Sequence, residues 1–416
     1  MPASTIRVTN GEGRSPMPSS ATEDSREAAS AVRGDQEAGS RIPLAVSGML
    51  IYAAIRVLSL AVAAFLLHYG RFRAIHWSLV HLVVSWDSGR FLYIATHGYA
   101  NVPGYRYPYS ILASYPGYPL VIDTIAWIPG IGLKRAGFAV TMAAGLAAAW
   151  GLTRLGMALI GDRRISLIMV AVWSVAPASF VLSMVYSEAL FCALAIWCLV
   201  ALVERRWLTA GVLTIGAGLA RSSTGVALVA AVTVAALPTV IAALRARQPA
   251  AMWWRPAVAL LLSPLGVLAY WAYSAVRLHQ FAGFVWLEKN GHDSFDWGQG
   301  VFLAVKDVLF GHPSAPEVMT LFVIAAAVVL TAFTLTEKFP WCVHVYTLVI
   351  VVVALGVGPQ YLGSKPRFLL PAFLLSVPVA RLLSPLPAWL VGLVIGVLGA
   401  ASVWFFLFLI AGGSAP

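Results

Sequence analysis

The sequence predicts an all-helical, polytopic membrane protein. Three observations carry that expectation. Of 416 residues, 60% are hydrophobic and only 11% are charged, with a mean hydropathy of +0.83. Apolar runs near the roughly 20 residues needed to cross a ~30 Å hydrocarbon core recur from Pro43 onward. The charged residues crowd at the ends of those runs, as the positive-inside bias of membrane proteins requires. The net charge of +11 is therefore assigned to basic helix ends, and no nucleic-acid partner is expected.

Residues 1–42 differ from the rest. They are rich in Ser, Ala, Gly, Glu and Arg and cannot bury enough apolar surface to offset the entropy of ordering. They are read as a disordered cytoplasmic tail, without the short apolar core of a signal peptide. Residues 43–416 are read as a single transmembrane domain. Its apolar runs fall near 44–68, 136–159, 165–184, 188–204, 207–220, 224–244, 254–277, 317–336, 340–359, 367–384 and 387–411, about eleven helices. A further run, 116–130, is punctuated by Pro116, Pro119 and Pro129. It would cover only ~22 Å as a helix, so it is read as re-entrant or juxtamembrane. Cys192, Cys198 and Cys342 lie inside apolar runs, as buried thiols do.

With the N-terminus in the cytoplasm, Asp162-Arg163-Arg164, Glu204-Arg205-Arg206, Arg245-Ala246-Arg247 and Glu337-Lys338 share the cytoplasmic side. Lys134-Arg135 falls on the other side and opposes the bias. Two long external loops follow, about 69–135 and 278–316. Long loops in a compact fold are functional or disordered, and the aromatic content of these two argues for function.

The tail holds six acids, leaving eleven: Asp87, Asp123, Asp162, Glu188, Glu204, Glu288, Asp293, Asp296, Asp307, Glu317 and Glu337. Any carboxylate chemistry draws on these. Asp87, in Trp86-Asp87-Ser88-Gly89-Arg90-Phe91, sits just outside the bilayer among aromatics, where an ion stays hydrated and a lipid-borne substrate has lateral access. Read from the residues alone it is a base, a helix cap or an ion-pair partner of Arg90. Glu188 opens an apolar run, where it complements the helix dipole or orients a substrate or cation. Arg221, among apolar flanks, needs an anion, either phosphate or Glu188, unless it snorkels to the interface. Lys365 and Arg367 precede an apolar helix at its external end, where a lipid phosphate is the natural ligand. His292, Asp293 and Asp296 form a polar loop rather than a metal site.

The blocks Trp86-Asp87 with Phe91, Ile94-Ala95 and Gly98-Tyr99; Tyr115-Pro116-Gly117-Tyr118-Pro119-Leu120; Tyr186-Ser187-Glu188-Ala189-Leu190-Phe191; Ala220-Arg221-Ser222; and Pro366-Arg367-Phe368-Leu369-Leu370-Pro371 occur in that order. Together they resemble the PIG-V-type mannosyltransferases, which are GT-C glycosyltransferases. Arg90 and Ser223 depart from the common pattern of that family. The resemblance implies a GT-C-like fold and transfer of a mannosyl or other hexosyl unit from a polyprenyl-phosphate donor. The acceptor would be a lipid or envelope glycan on the non-cytoplasmic side of the plasma membrane. It implies Asp87 as general base and Glu188 as a second catalytic residue, with Arg221, Lys365 and Arg367 on the donor phosphate. Trp86, Tyr99, Tyr115, Tyr118 and Tyr186 would contact substrate. No cofactor or divalent metal is expected. The 23 arginines against 5 lysines suggest a GC-rich bacterial source. A multi-pass transporter or flippase of lipid-linked precursors is the alternative. It would place ionisable residues deep in several helices and show repeat halves, which this sequence does not.

Overall fold

The computed structural model describes residues 43–70, 72, 77–99, 109–290, 295–357 and 362–411. The tail expected over 1–42, and His292 and Asp293, lie outside the described residues. From Leu44 onward the chain forms one unit built of helices, with no strand among the described residues.

α1 (Leu44–Tyr69) is followed by four short helices, α2 (Leu79–Val83), α3 (Asp87–His97), α4 (Tyr109–Leu112) and α5 (Gly117–Ala126). Most of the described residues of the first long loop are thus helical. Then come α6 (Leu133–Ile160), α7 (Arg163–Ser174), α8 (Glu188–Val203), α9 (Trp207–Ala220) and α10 (Ser222–Arg245). α11 (Ala250–Leu262) and α12 (Leu265–Leu278) share one apolar stretch. The second long loop carries α13 (Gly283–Asn290) and α14 (Gln299–Phe310). α15 (Ala315–Leu335), α16 (Trp341–Gly356), α17 (Lys365–Phe368), α18 (Ser376–Leu383) and α19 (Ala388–Ala411) complete the order.

Local chemistry sets several boundaries. Gly161 ends α6 at φ 76°, a left-handed conformation that costs glycine little. Asp162 then caps α7, its carboxylate accepting from Ile165 N at 2.8 Å. Ser314 and Glu317 form a capping box at the start of α15.

Six helical stretches are long and apolar enough to cross a bilayer, or seven if one bent pair counts as a span. Three further apolar helices, α8, α9 and α16, are shorter. The expected run 165–184 is not one helix. α7 stops at Ser174 because Pro177 removes an N–H donor and disfavours helix before it. A short 3-10 helix follows over Ser179–Ser183. Run 367–384 breaks in the same way at Pro371, with an 81° bend between the segments on either side. The buried groups freed by these breaks find partners. Arg56, in the middle of α1, donates to Ser179 O at 2.6 Å and also to Ser174 O. Trp173 Nε1 donates to Leu370 O at 3.1 Å, and Tyr346 Oη to Pro371 O at 2.9 Å.

α6 and α8 run side by side in the same direction. A Cβ on Gly137 would lie 2.5 Å from Val185, just before α8. Trp197 Nε1 donates to Ala147 O at 2.9 Å midway, and Arg154 pairs with Glu204 at 2.6 Å at the far end. The start of α8 and the start of α7 therefore lie at opposite ends of the bundle. The pairs Arg154–Glu204 and Arg206–Glu204 mark the end away from Glu188.

Candidate active site

Four pieces of chain remote in sequence bring their charged residues together at the Glu188 end. Asp87 is the first residue of α3, and Glu188 the first of α8. Arg221 is the single extended residue joining α9 to α10, at φ −156° and ψ 93°. Arg367 lies in α17, just ahead of the proline break. The close approach of α5 to the end of α9 supports this corner. A Cβ on Gly117 would come within 2.7 Å of Ala220 N, so only glycine fits there.

Asp87 is held at a strained junction. Trp86 before it adopts φ 52° and ψ −121°, a region L-residues rarely occupy, at a cost of about 1–3 kcal/mol. Neighbouring contacts compensate. The Trp86 ring packs edge-on to Trp77 at 5.1 Å, and Asp87 N donates to Tyr186 Oη at 3.2 Å.

The ion pairs interlock. Arg367 Nη1 lies 3.0 Å from Asp87 Oδ2, and Arg90 Nη1 lies 3.4 Å from Asp87 Oδ1. Arg221 Nη1 donates to Glu188 Oε1 at 2.6 Å, and Arg367 Nε sits 3.3 Å from the same oxygen. Arg367 thus links both carboxylates. Its guanidinium also lies over the rings of Tyr186 at 5.4 Å and Phe368 at 5.0 Å. Glu188 is almost wholly buried, which a carboxylate tolerates only with charge partners of this kind. Among the described residues, Glu188 Oε2, Arg221 Nε and Arg367 Nε have no hydrogen-bond partner, so the buried network retains unused polar capacity.

These groups border a cavity of about 80 Å³. Asp87, Arg90, Arg221, Arg367, Tyr115 and Glu288 line it, together with Ser187, Ser223 and Phe368. Burial pushes the Asp87 carboxyl up, but Arg367 and Arg90 beside it pull harder and leave it below the ordinary carboxylate range. Of the Asp87 side chain, 27% remains open, so it reaches the cavity as an ionised group. Burial, with Glu288 next, raises the Tyr115 phenol well above its usual value. It is therefore neutral, its one proton donated to Glu288 Oε1 at 3.1 Å, while the Ser223 hydroxyl, also at 3.1 Å, donates to its oxygen.

The other sequence candidates divide. Tyr115 lines the cavity. Lys365 does not. Its ammonium donates to Leu355 O at 2.8 Å and to Val357 O, holding the end of α16. The carbonyls freed where a helix ends attract a cation, so this lysine has a structural partner and is not placed to grip phosphate. Tyr118 is fully buried and bonds Gly137 O at 3.0 Å and Thr141 Oγ1 at 2.6 Å, which ties α5 to α6 away from the cavity. Tyr99 donates to Ser114 O at 2.6 Å, one residue from Tyr115, without lining the cavity. Trp86 and Tyr186 act through Asp87 and Arg367, as described, rather than as cavity walls. Asp296 caps its own loop, accepting from Gly298 N and Gly300 N. Among the described residues no group of three or more His, Cys, Asp or Glu side chains is placed to hold a metal ion.

Sequence reasoning missed Glu288, Arg90 and Ser223 as cavity residues. Glu288 was one of the eleven acids and lay in the second long loop, but no motif surrounds it. Arg90 and Ser223 were visible only as departures inside recognisable blocks. Arg56 was missed as well, because an arginine within an apolar run gives no sign of its carbonyl partners.

The family described as mannosyltransferase (PIG-V) matches residues 72–385, a stretch that contains every charged member of the cluster. The chain belongs to the PIG-V mannosyltransferase family. Its fold resembles that of ArnT from Cupriavidus metallidurans, solved bound to undecaprenyl phosphate. The TM-score is 0.50 at 15% identity, over 80% of this chain and 59% of that one. The chain thus spans less than two thirds of the length of ArnT, and the likeness is one of fold. No curated protein matches the sequence. This PIG-V member is an all-helical, multi-pass membrane protein with a GT-C-like architecture.

Proposed function

We infer that this mannosyltransferase moves a mannosyl unit from a polyprenyl-phosphate donor to a hydroxyl of a lipid or envelope glycan, with inversion. The observation that carries the reading is the Asp87–Arg367–Glu188–Arg221 network on one cavity. An inverting transfer needs a base on the acceptor hydroxyl and cations on the departing phosphate. Asp87 is the base and Arg367 and Arg221 are the phosphate ligands, with Arg90 beside them. Glu188 holds the two buried guanidiniums in place. The undecaprenyl phosphate bound to ArnT supports a polyprenyl-linked donor here.

The ion pairs give the reaction an order. Without donor, both Asp87 oxygens face guanidiniums, which makes the carboxylate a weak base. A donor phosphate that draws Arg367 and Arg90 toward itself loosens that hold and raises the basicity of Asp87. The hydroxyl then loses its proton to Asp87 as its oxygen bonds the anomeric carbon. The bond from that carbon to the phosphate oxygen breaks, and the lipid phosphate leaves against Arg367 and Arg221. The cavity is assigned to the non-cytoplasmic face, because the basic pairs Arg163-Arg164 and Arg205-Arg206 lie at the other end. A single assay tests the function: purified protein with polyprenyl-phosphate-mannose and extracted envelope lipids, followed by mass spectrometry for a hexose added to lipid. No hexose transfer with intact, folded protein would overturn it.

A further inference from the structure

A second feature lies at the opposite end of the bundle, away from the active-site cavity. α1, α7 and α19 border an open apolar groove of about 540 Å³. Its floor and sides include Ile51, Ile55, Ile168, Val391 and Ile395. Gly392 opens it, with no atom within 4 Å of where a Cβ would stand. Arg163 and Arg164 line the groove as well, at the first turn of α7, and both are exposed. Arg164 donates to Leu386 O, which ties the start of α7 to the start of α19 and fixes the groove's width. Among the described residues, no Asp or Glu lines the groove. The nearby Asp162 is committed to capping α7. Arg164 makes no ion pair with a described carboxylate.

We propose that this groove is a binding site for one anionic glycerophospholipid, its phosphate on Arg163 and Arg164 and an acyl chain between α1, α7 and α19. The chemistry is complementary at both ends: two guanidiniums suit phosphate oxygens, and an apolar channel suits a hydrocarbon chain. A polyprenyl phosphate combines the same two parts, but the cavity that would use one lies at the other end of the bundle. Arg154–Glu204 and the start of α7 are at one end, and Asp87 and Glu188 at the other. The groove therefore opens on the opposite leaflet from the site of transfer, where the bilayer's own phospholipids are the abundant anions. Basic residues near a membrane surface contribute measurably to lipid attraction, and here two act on one headgroup.

Native mass spectrometry of the full chain in detergent tests the proposal, with phosphatidylglycerol, phosphatidylcholine and undecaprenyl phosphate offered separately. One phosphatidylglycerol is expected to be retained per protein, with phosphatidylcholine bound at least about tenfold more weakly. Arg163→Gln with Arg164→Gln is expected to weaken phosphatidylglycerol about thirtyfold, and Arg163→Gln alone about fivefold. The single variant leaves the Arg164–Leu386 tie intact, so it reports even if the double variant fails to fold. Gly392→Leu, which adds a side chain into open space, is expected to abolish retention. Lys134→Gln with Arg135→Gln removes the same charge at the other end and is expected to change nothing. Equal retention of phosphatidylglycerol and phosphatidylcholine, or unchanged retention in Arg163→Gln and Gly392→Leu, would overturn the proposal. So would undecaprenyl phosphate outcompeting phosphatidylglycerol in a manner that Gly392→Leu removes.

Discussion

Removing Glu188 tests the electrostatic logic of the active site. Its side chain is 1% exposed and those of Arg221 and Arg367 are 11% exposed, so all three charges depend on one another rather than on water. Breaking a buried ion pair by deleting one partner costs about 3–5 kcal/mol, because the remaining charge is left uncompensated. In Glu188→Ala, Arg221 loses the 2.6 Å contact entirely, while Arg367 keeps Asp87 at 3.0 Å. Both arginines also border the cavity, where water relieves part of the penalty. The expected loss is therefore near the lower bound, about 3 kcal/mol. Glu188→Gln should lose roughly half of that. Its amide oxygen keeps the Arg221 bond, and its NH2 replaces the oxygen that has no partner, so only charge is removed. The assay is the apparent unfolding transition in one fixed detergent, followed by tryptophan fluorescence. The expected order is wild type, then Gln, then Ala. An Ala variant within about 0.5 kcal/mol of wild type, the range of ordinary surface changes, would refute the claim that Glu188 anchors the two guanidiniums.

Other outcomes follow from the same contacts. Arg367→Lys is expected to lower turnover by about tenfold or more, because one ammonium cannot span Asp87 and Glu188 as Nη1 and Nε do. Steady-state kinetics with the lipid donor would check it, and full activity would place the phosphate elsewhere. Lys365→Met is expected to destabilise the protein by about 1–3 kcal/mol through two unpartnered carbonyls, without lowering turnover per folded molecule. A selective loss of donor affinity would return Lys365 to the phosphate site. Arg56→Met should also cost at least about 1–3 kcal/mol, since Ser174 O and Ser179 O lose their donor, as an unfolding measurement would report. For pH, the Asp87 carboxyl is lowered in the folded protein. Its stabilising ion pairs are complete above the unfolded value of about 3.9 and are lost as pH falls through the lower folded value. The acid limb of kcat/KM, which reports the free enzyme, should therefore lie below the usual carboxylate range. The limb of kcat should lie higher, because bound donor competes for Arg367 and Arg90.

The membrane class and much of the helix order were legible in the sequence, because apolar runs report burial in lipid directly. Runs 207–220 and 387–411 match α9 and α19 almost residue for residue. Runs 165–184 and 367–384 misled, since hydropathy does not see that Pro177 and Pro371 break helices whose flanking residues stay buried. In loop 69–135 only run 116–130 read as a helix, where α5 lies; the other helices of the two long loops are too short to leave an apolar run. Of the candidate site, Asp87, Glu188, Arg221, Arg367 and Tyr115 converge in the fold. Lys365 looked equivalent to Arg367 two residues away, but a helical turn points them in different directions, one to the end of α16 and one to Asp87. Glu288 was hidden because its partner Tyr115 is 173 positions away in sequence. Contacts of that span leave no local pattern.

The central claim is that Asp87 takes the acceptor's proton, and Asp87→Asn tests it most directly. The amide keeps the size of the side chain and an oxygen for Arg367, and it removes the proton acceptor. The measurement is the rate of mannosyl transfer by purified variant and wild type, with donor binding measured alongside. Turnover is expected to fall by roughly 10²–10⁴-fold, while the protein remains folded and still binds undecaprenyl phosphate. Transfer at a near-normal rate in Asp87→Asn would contradict the account and pass the role of base to another carboxylate on the cavity.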